Sequence, residues 1–148
     1  MSRWFRICCP IDFSETSRLA MEEAADLARR SGGELTLLHV FEAPGGTTTE
    51  MIVAPPELYE RTVKELEHQL ESWRREAEQT ASTTVRAKVL SGPTAGEIVR
   101  FAREAACDLV VIGTHGRRGF RHLIIGSVAE KVVREAHCPV LVVRLPKP

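Results

Sequence analysis

The sequence predicts an α/β fold, a three-layer sandwich in which helices cover both faces of a five-stranded parallel sheet. Segments with strand-type and helix-type hydrophobic patterns alternate along the 148 residues in the order β-α-β-α-β-α-β-α-β. Strands joined by helices are almost always parallel, with right-handed crossovers. Five strands and four helices in this length leave no room for a second domain. We therefore expect a single domain spanning residues 1–148.

The first half of the chain contains the first two strands and the helix between them. Arg3–Ile11 is a short, partly β-branched apolar run, which predicts a strand. In Ser14–Arg30 the apolar residues recur at helical spacing, and Gly32 with Gly33 provides a stop signal at the helix end. Glu34–Phe41 is again apolar and predicts the second strand.

A loop and a long helix follow. Pro44 begins a stretch rich in glycine and threonine, and a loop of about a dozen residues is often functional. Pro55 then opens a helix that extends through Ala77, with a narrow apolar stripe on an otherwise charged surface. Tyr59 and Trp73 lie in that stripe, so both are predicted to be core residues.

The second half of the chain begins with a strand of a different kind. Thr83–Leu90 alternates apolar and polar residues, which predicts a half-exposed strand at the sheet edge. Thr94–Ala106 predicts a helix, and Thr94 with Glu97 has the spacing of a capping box. Leu109–Ile112 is continuously apolar, as is typical of a parallel strand buried on both faces.

The last elements are a loop, a helix and a strand. Residues 113–125 form the loop, Ser127–His137 the fourth helix, and Pro139–Leu145 the fifth strand.

Composition narrows the class of protein. The chain has 20 Lys and Arg against 20 Asp and Glu, so its net charge is zero and a nucleic-acid partner is not expected. The chain has four cysteines, and no two of them have the C-x-x-C spacing of a metal or redox site. We therefore predict that they are free thiols in a reducing compartment: Cys8, Cys9, Cys107 and Cys138. No stretch reaches the ~18 apolar residues of a membrane span, so we expect a cytoplasmic protein without a membrane partner.

The loop that follows the buried strand carries the functional signal. Ligands of open parallel sheets bind beyond the carboxyl ends of the strands, where the strand order reverses. Glycines between residues 113 and 126 let backbone N–H groups approach a ligand, and Gly126 with Ser127 begins a helix whose dipole favours phosphate. Arg117, Arg118 and Arg121 add local positive charge. Together these features predict an anion site, most naturally for a nucleotide phosphate.

The spacing of these small residues resembles the ATP-binding signature of the universal stress protein family. It reads Gly113, two residues, Gly116, nine residues, then Gly126 and Ser127. The resemblance covers the whole chain. It includes C-P-I-D-F-S at 9–14, D-L-V-V-I-G-T-H-G at 108–116, G-S-V-A-E-K-V-V-R at 126–134 and C-P-V-L-V-V at 138–143.

The resemblance implies an adenine nucleotide alpha hydrolase-like fold with sheet order 3-2-1-4-5, and an ATP site. It places Asp12 beside the ribose and the backbone of Val40 against the adenine edge. The loop at Gly113 would surround the ribose and phosphates, and the helix start at Ser127 would bind the phosphates. The nucleotide-binding residues that we predict are Pro10, Asp12, Val40, Ile112, Gly113, His115, Gly116, Gly126, Ser127 and Val128.

The resemblance also implies a function and an assembly. Members are nucleotide-dependent regulators in stress physiology and commonly form homodimers through the fifth strand, here Pro139–Arg144. Mg²⁺ is expected to accompany the ATP, held mostly by phosphate oxygens and water.

Alternatives remain open for the chemistry. No G-x-x-x-x-G-K-[ST] motif supplies a Walker lysine, and His115 has no carboxylate or serine partner at motif spacing, so fast phosphoryl transfer has no obvious agent. The alternative functions are a slow ATPase, a nucleotidyl-transferring relative on a related α/β scaffold, and a ligand-free dimeric interaction module.

Alternatives also remain for individual residues. Ser127, three residues before Glu130, has the spacing of a simple helix cap, and Asp12 could be only a turn or cap residue. The glycines alone could serve a tight loop.

Overall fold

The computed structural model describes residues 4–42, 55–115 and 125–146 of the chain, which contain nine helices and strands. They are β1 (Arg6–Pro10), α1 (Glu15–Ser31), β2 (Glu34–Phe41), α2 (Pro56–Ala81), β3 (Val85–Ser91), α3 (Thr94–Glu104), β4 (Leu109–Gly113), α4 (Ser127–Glu135) and β5 (Val140–Val143). Their order confirms the alternation predicted from the hydrophobic pattern.

The five strands form one parallel sheet in the order β3-β2-β1-β4-β5. β1 lies at the centre, where Cys8 pairs with Thr36 of β2 on one side and with Val110 of β4 on the other. The chain proceeds outward in one direction from β1 to β3 and in the opposite direction from β4 to β5. The strand order therefore reverses between β1 and β4, and β3 is an edge strand, as predicted.

Two apolar clusters fill the space between the sheet and its helices. One joins α1 and α2 to alternate sheet residues such as Ile7, Leu35 and Val111, and the other joins α3 and α4 to residues such as Cys8 and Val110. Successive strand residues thus face opposite layers, because side chains alternate along a strand. β4 is buried from Leu109 through Ile112, as its continuous apolar run predicted.

The start of β1 is held by the residue that precedes β4. The carboxylate of Asp108 accepts hydrogen bonds from the N–H of Phe5 at 2.9 Å and of Arg6 at 3.1 and 3.2 Å. The N–H of Asp108 in turn donates to the carbonyl of Arg6 at 2.9 Å. β1 therefore begins at Arg6, where these contacts meet, rather than at Arg3 as the apolar run suggested.

The helix ends agree with the sequence in one case and differ in another. α1 ends at Gly32, which has a left-handed backbone (φ 68°) and supplies the predicted stop. The predicted capping box at α3 is wrong, because Pro93 is the N-cap and no side chain caps the helix. The carboxylate of Glu97 pairs instead with Arg100, which holds the pKa of that carboxyl below its ordinary value.

Two aromatic residues of α2 have different environments. Trp73 is buried in the core as predicted, but Tyr59 is 42% exposed and the prediction for it is wrong. Its hydroxyl lies 3.0 Å from the Ser91 hydroxyl and its ring lies 5.7 Å from the Phe41 ring. The first turns of α2 thus extend past the sheet, so the apolar stripe there has no core to cover.

The cysteines are free thiols, as predicted, and burial raises the pKa of Cys9 above its ordinary value. Within the described ranges, no helix combines the length and apolar composition needed to cross a bilayer.

Candidate functional site

The predicted site residues gather at the carboxyl end of the sheet. Pro10 ends β1 and Gly113 ends β4, on the two sides of the point where the strand order reverses. Val40 lies one residue before the end of β2, and Ile112 is buried just before Gly113. This is the edge at which open parallel sheets bind ligands. Several predicted residues lie outside the described residues: Gly116, Arg117, Arg118 and Arg121.

Asp12 lies two residues beyond β1 and forms a turn into α1. Its Oδ1 atom accepts hydrogen bonds from the Ser14 N–H at 3.0 Å and from the Ser14 hydroxyl. Ser14 is the N-cap of α1, its Oγ accepting from the Ser17 N–H at 3.2 Å. The turn role that the sequence left open is therefore present. Within the described ranges, no hydrogen bond reaches the other carboxylate oxygen of Asp12, so that oxygen can still accept one from a ligand.

Phe13 fixes the chain immediately after Asp12. It has a left-handed backbone (φ 64°), a conformation that costs a bulky residue about 1–2 kcal/mol. Its ring packs 4.8 Å from His39 and 5.4 Å from Trp73, between centroids, and His39 Nδ1 lies 2.6 Å from the Ile11 carbonyl oxygen. These contacts compensate for the strain and hold the turn at the end of β1 in one position.

The start of α4 forms the opposite wall of the site. Gly126 is the N-cap, and no side chain caps the helix. Ser127 is therefore the first helical residue, and its suggested role as the cap is wrong. The first intrahelical bond runs from the Glu130 N–H to the Gly126 carbonyl at 2.9 Å. The N–H groups of Ser127 and Val128 precede that bond, so the helix itself does not use them and they can face an anion.

Packing requires a glycine at position 126. Its N–H donates to the Thr114 carbonyl at 2.5 Å. A Cβ atom at Gly126 would lie 2.6 Å from that same carbonyl oxygen, closer than real contacts allow. The glycine thus brings the start of α4 directly onto the chain that leaves β4.

Two buried threonines join these segments, and sequence reasoning missed both. The hydroxyl of Thr16 in α1 donates to the carbonyl of His115, and a Cβ atom at Gly113 would lie 3.0 Å from Thr16. Thr114 is 2% exposed, its N–H donates to the Val143 carbonyl at 2.9 Å, and its hydroxyl lies 3.0 Å from His115 Nδ1.

A sequence signal for Thr16 did exist. It lies four residues before Ala20 and eight before Ala24, on the helix face whose alanines are completely buried. A hydroxyl at such a position needs a partner, because burying an unpaired polar group is unfavourable. The identity of that partner could not be read from the sequence.

The assembled site combines three chemical features. They are the carboxylate of Asp12, the close backbone contacts at Gly113 and Gly126, and the unused backbone N–H groups at the start of α4. Such a site can bind a molecule with hydroxyl groups at one end and an anion at the other. Among the described residues, no group of three or more His, Cys, Asp or Glu side chains is arranged to hold a metal ion.

Comparison with known proteins gives consistent matches. The universal stress protein family (Usp) matches residues 4–144 of this chain. Universal stress protein MJ0531 of Methanocaldococcus jannaschii is 33% identical over 149 residues, covering 96% of this chain and 83% of the relative. Universal stress protein YxiE of Bacillus subtilis is 32% identical over 140 residues, covering 90% of this chain and 95% of the relative.

Solved structures show the same fold. Universal stress protein UspA from Lactobacillus plantarum superposes with a TM-score of 0.85 at 24% identity, covering 97% of this chain and 100% of that one. A universal stress protein from Archaeoglobus fulgidus in complex with dAMP has a TM-score of 0.64 at 24% identity, covering 95% of this chain and 98% of that one. One from Arabidopsis thaliana with AMP bound has a TM-score of 0.65 at 18% identity, covering 96% of this chain and 92% of that one. Another universal stress protein structure is in complex with cAMP, with a TM-score of 0.70 at 20% identity, covering 95% of this chain and 97% of that one.

The sheet order and the helix placement are those of the adenine nucleotide alpha hydrolase-like fold, as the sequence resemblance implied. With a family match over nearly its whole length and curated relatives above 30% identity, this chain belongs to the universal stress protein family.

Proposed function

We propose that this chain binds ATP, together with Mg²⁺, in the crevice between β1 and β4, and acts as a nucleotide-dependent regulator in the cellular stress response. The observation that carries the proposal is the start of α4, where a glycine N-cap leaves the first N–H groups unused beside the switch point of the sheet. A helix start of this kind favours a phosphate through its N–H groups and its dipole.

The described residues offer a suitable group for each part of the nucleotide. The phosphates would contact the N–H groups of Ser127 and Val128, and the free carboxylate oxygen of Asp12 would accept a hydrogen bond from a ribose hydroxyl.

The backbone of Val40 would contact the adenine edge, and Pro10 and Ile112 would lie beneath the crevice. Gly113 and His115 would lie against the ribose and phosphates; Gly116, proposed for the same role, lies outside the described residues. The AMP, dAMP and cAMP bound by structures of the same fold support an adenine nucleotide. Mg²⁺ would be held mostly by phosphate oxygens and water.

We also propose that the protein works in the cytoplasm as a homodimer paired through β5. β5 is an edge strand of the sheet, and Leu141 on it is 37% exposed. An apolar edge strand is an aggregation hazard unless it is paired, and a twofold pairing would close it. The free cysteines are in keeping with a reducing compartment.

The sharpest test removes one phosphate-binding N–H without disturbing the helix. Ser127→Pro deletes the N–H at the first helical position, where proline is well tolerated, and Gly126 (ψ 162°) already has the extended backbone that precedes proline. We expect ATP affinity, measured by calorimetry, to fall about tenfold, the worth of one charge-assisted hydrogen bond. Substituting Gly126 would not test the site cleanly, because a side chain there would displace α4 itself.

Thr94→Pro is the matched control. Thr94 is also the first helical residue, in α3, and it follows the extended Pro93. This variant should bind ATP like the wild type. Wild-type protein that binds no adenine nucleotide, or a Ser127→Pro variant that binds ATP undiminished, would contradict the proposed site.

A further inference from the structure

The start of α1 contains a row of hydrogen-bonding groups that leads from one end of the candidate site to the other. The Ser14 hydroxyl donates to Asp12 Oδ1, and Ser14 Oγ lies 3.1 Å from Thr16 Oγ1. The Thr16 hydroxyl donates to the carbonyl of His115, which is 99 residues further along the chain. The row therefore spans the turn after β1 and the segment after β4.

Counting hydroxyl protons fixes the direction of these bonds. Ser14 and Thr16 have one hydroxyl proton each, whereas the Asp12 carboxylate and the His115 carbonyl can only accept. With both outer acceptors satisfied, no proton remains for the contact between Ser14 and Thr16. Each hydroxyl thus points away from the other, and that of Thr16 is committed to His115.

Thr16 also touches the end of β4, which is in turn linked to the start of α4. The backbone and Cβ of Thr16 lie against Gly113, where an added Cβ would be 3.0 Å from three Thr16 atoms. The peptide before His115 accepts the N–H of Gly126 through the Thr114 carbonyl at 2.5 Å. Because Thr16 is only 3% exposed, water cannot readily replace its hydrogen bond. Its position therefore sets the distance between Asp12 and the start of α4.

We propose that Thr16 is a positioning residue, which holds the Gly113–His115 segment at the distance from Asp12 that lets one nucleotide reach the ribose acceptor and the phosphate-binding N–H groups together. This inference rests on the proposed function and assigns to the site a residue that touches no part of the nucleotide. Buried residues that fix binding groups in this way make a site specific by limiting its freedom.

The test compares ATP with adenosine, which lacks the phosphates. Thr16→Val keeps the shape of the side chain and removes its hydroxyl. We expect ATP affinity by calorimetry to fall about five- to tenfold, while adenosine affinity stays within about twofold, because adenosine keeps its contacts with Asp12 and Val40 whereas the phosphate contacts all depend on the displaced segment. Thr16→Ser, which keeps the hydroxyl, should restore the wild-type ratio of the two affinities.

Ser17→Ala is the matched control. Ser17 is also buried in the first turn of α1, and its hydroxyl donates to a backbone carbonyl, that of Ser14, at 3.0 Å. It should lower the melting temperature as much as Thr16→Val does and leave the affinity ratio unchanged.

The outcomes separate the two proposals. Wild-type protein that binds neither ATP nor adenosine would overturn the proposed function and this inference together. Wild-type binding with an unchanged ratio in Thr16→Val, or an equal change in Ser17→Ala, would overturn only the inference.

Discussion

Ala106, just after α3, has a left-handed backbone conformation (φ 51°) without being a glycine. Its N–H donates to the Arg103 carbonyl at 3.1 Å, and its side chain is exposed. A Cβ atom in this conformation costs about 1 kcal/mol. Ala106→Gly is therefore expected to raise the free energy of unfolding by roughly that amount, as measured by urea denaturation.

Gly32, at the end of α1, provides the reverse experiment. It has the same backbone region (φ 68°), and an added Cβ would meet nothing within 4 Å. Gly32→Ala should therefore lower the free energy of unfolding by about 1 kcal/mol through backbone strain alone. A stabilised Gly32→Ala, or a destabilised Ala106→Gly, would contradict this account of the two helix ends.

Single residues were predictable where the reason was local. The stop at Gly32 follows from glycine chemistry alone, and the structure confirms it. The need for glycine at position 126 depends on the carbonyl of Thr114, and the partner of the Thr16 hydroxyl is 99 residues away. Contacts of that kind depend on how the elements pack, so no pattern in the neighbouring sequence could supply them.

At the scale of an element, α2 is stabilised by charged pairs along its surface. Glu71 accepts hydrogen bonds from Arg74 at 2.8 Å, and this pairing lowers the pKa of the Glu71 carboxyl to about 2. A carboxyl whose pKa is lower in the folded state stabilises the fold above its unfolded pKa, near 4.5, and loses that contribution as the pH falls toward 2.

Glu71→Gln tests the predicted direction of this pH dependence. The wild type should be more stable than the variant at neutral pH, and the difference between their urea midpoints should shrink between about pH 5 and pH 2. The gap is expected to be small, because exposed ion pairs contribute little, and it should shrink further in molar salt. A difference that widens on acidification would show that the pair with Arg74 does not stabilise the folded state.

The type and order of the elements were predictable because each carries its own period of apolar residues. β4 is continuously apolar and buried, and β3 alternates and lies at the edge. The predictions of a capping box at Thr94 and of a buried Tyr59 were both wrong, and for the same reason. Both depend on where a helix begins relative to the sheet, which spacing alone does not define.

At the scale of the whole molecule, the proposed homodimer depends on β5. Leu141→Lys would place like charges on the two copies of this edge strand, so we expect it to convert the dimer to a monomer. Light scattering at micromolar concentration measures the mass directly. Leu58→Lys is the matched control, because Leu58 is also exposed but lies at the start of α2.

The Leu58 variant should remain dimeric. A wild-type protein that is monomeric at this concentration, or a Leu141→Lys variant that stays dimeric, would count against pairing through β5.

The contact of Asp108 with Phe5 joins chain segments 103 residues apart, and this separation bears on how the molecule folds. The centre of the sheet is complete only after β4 has paired with β1. Closing the long stretch of chain between these two strands is slow and entropically costly. We expect the β1–β3 half to form first and the β4–β5 half to dock onto it late. A ligand bound across the junction of β1 and β4 would contact both halves. It should therefore slow unfolding, because it would delay the separation of the two halves.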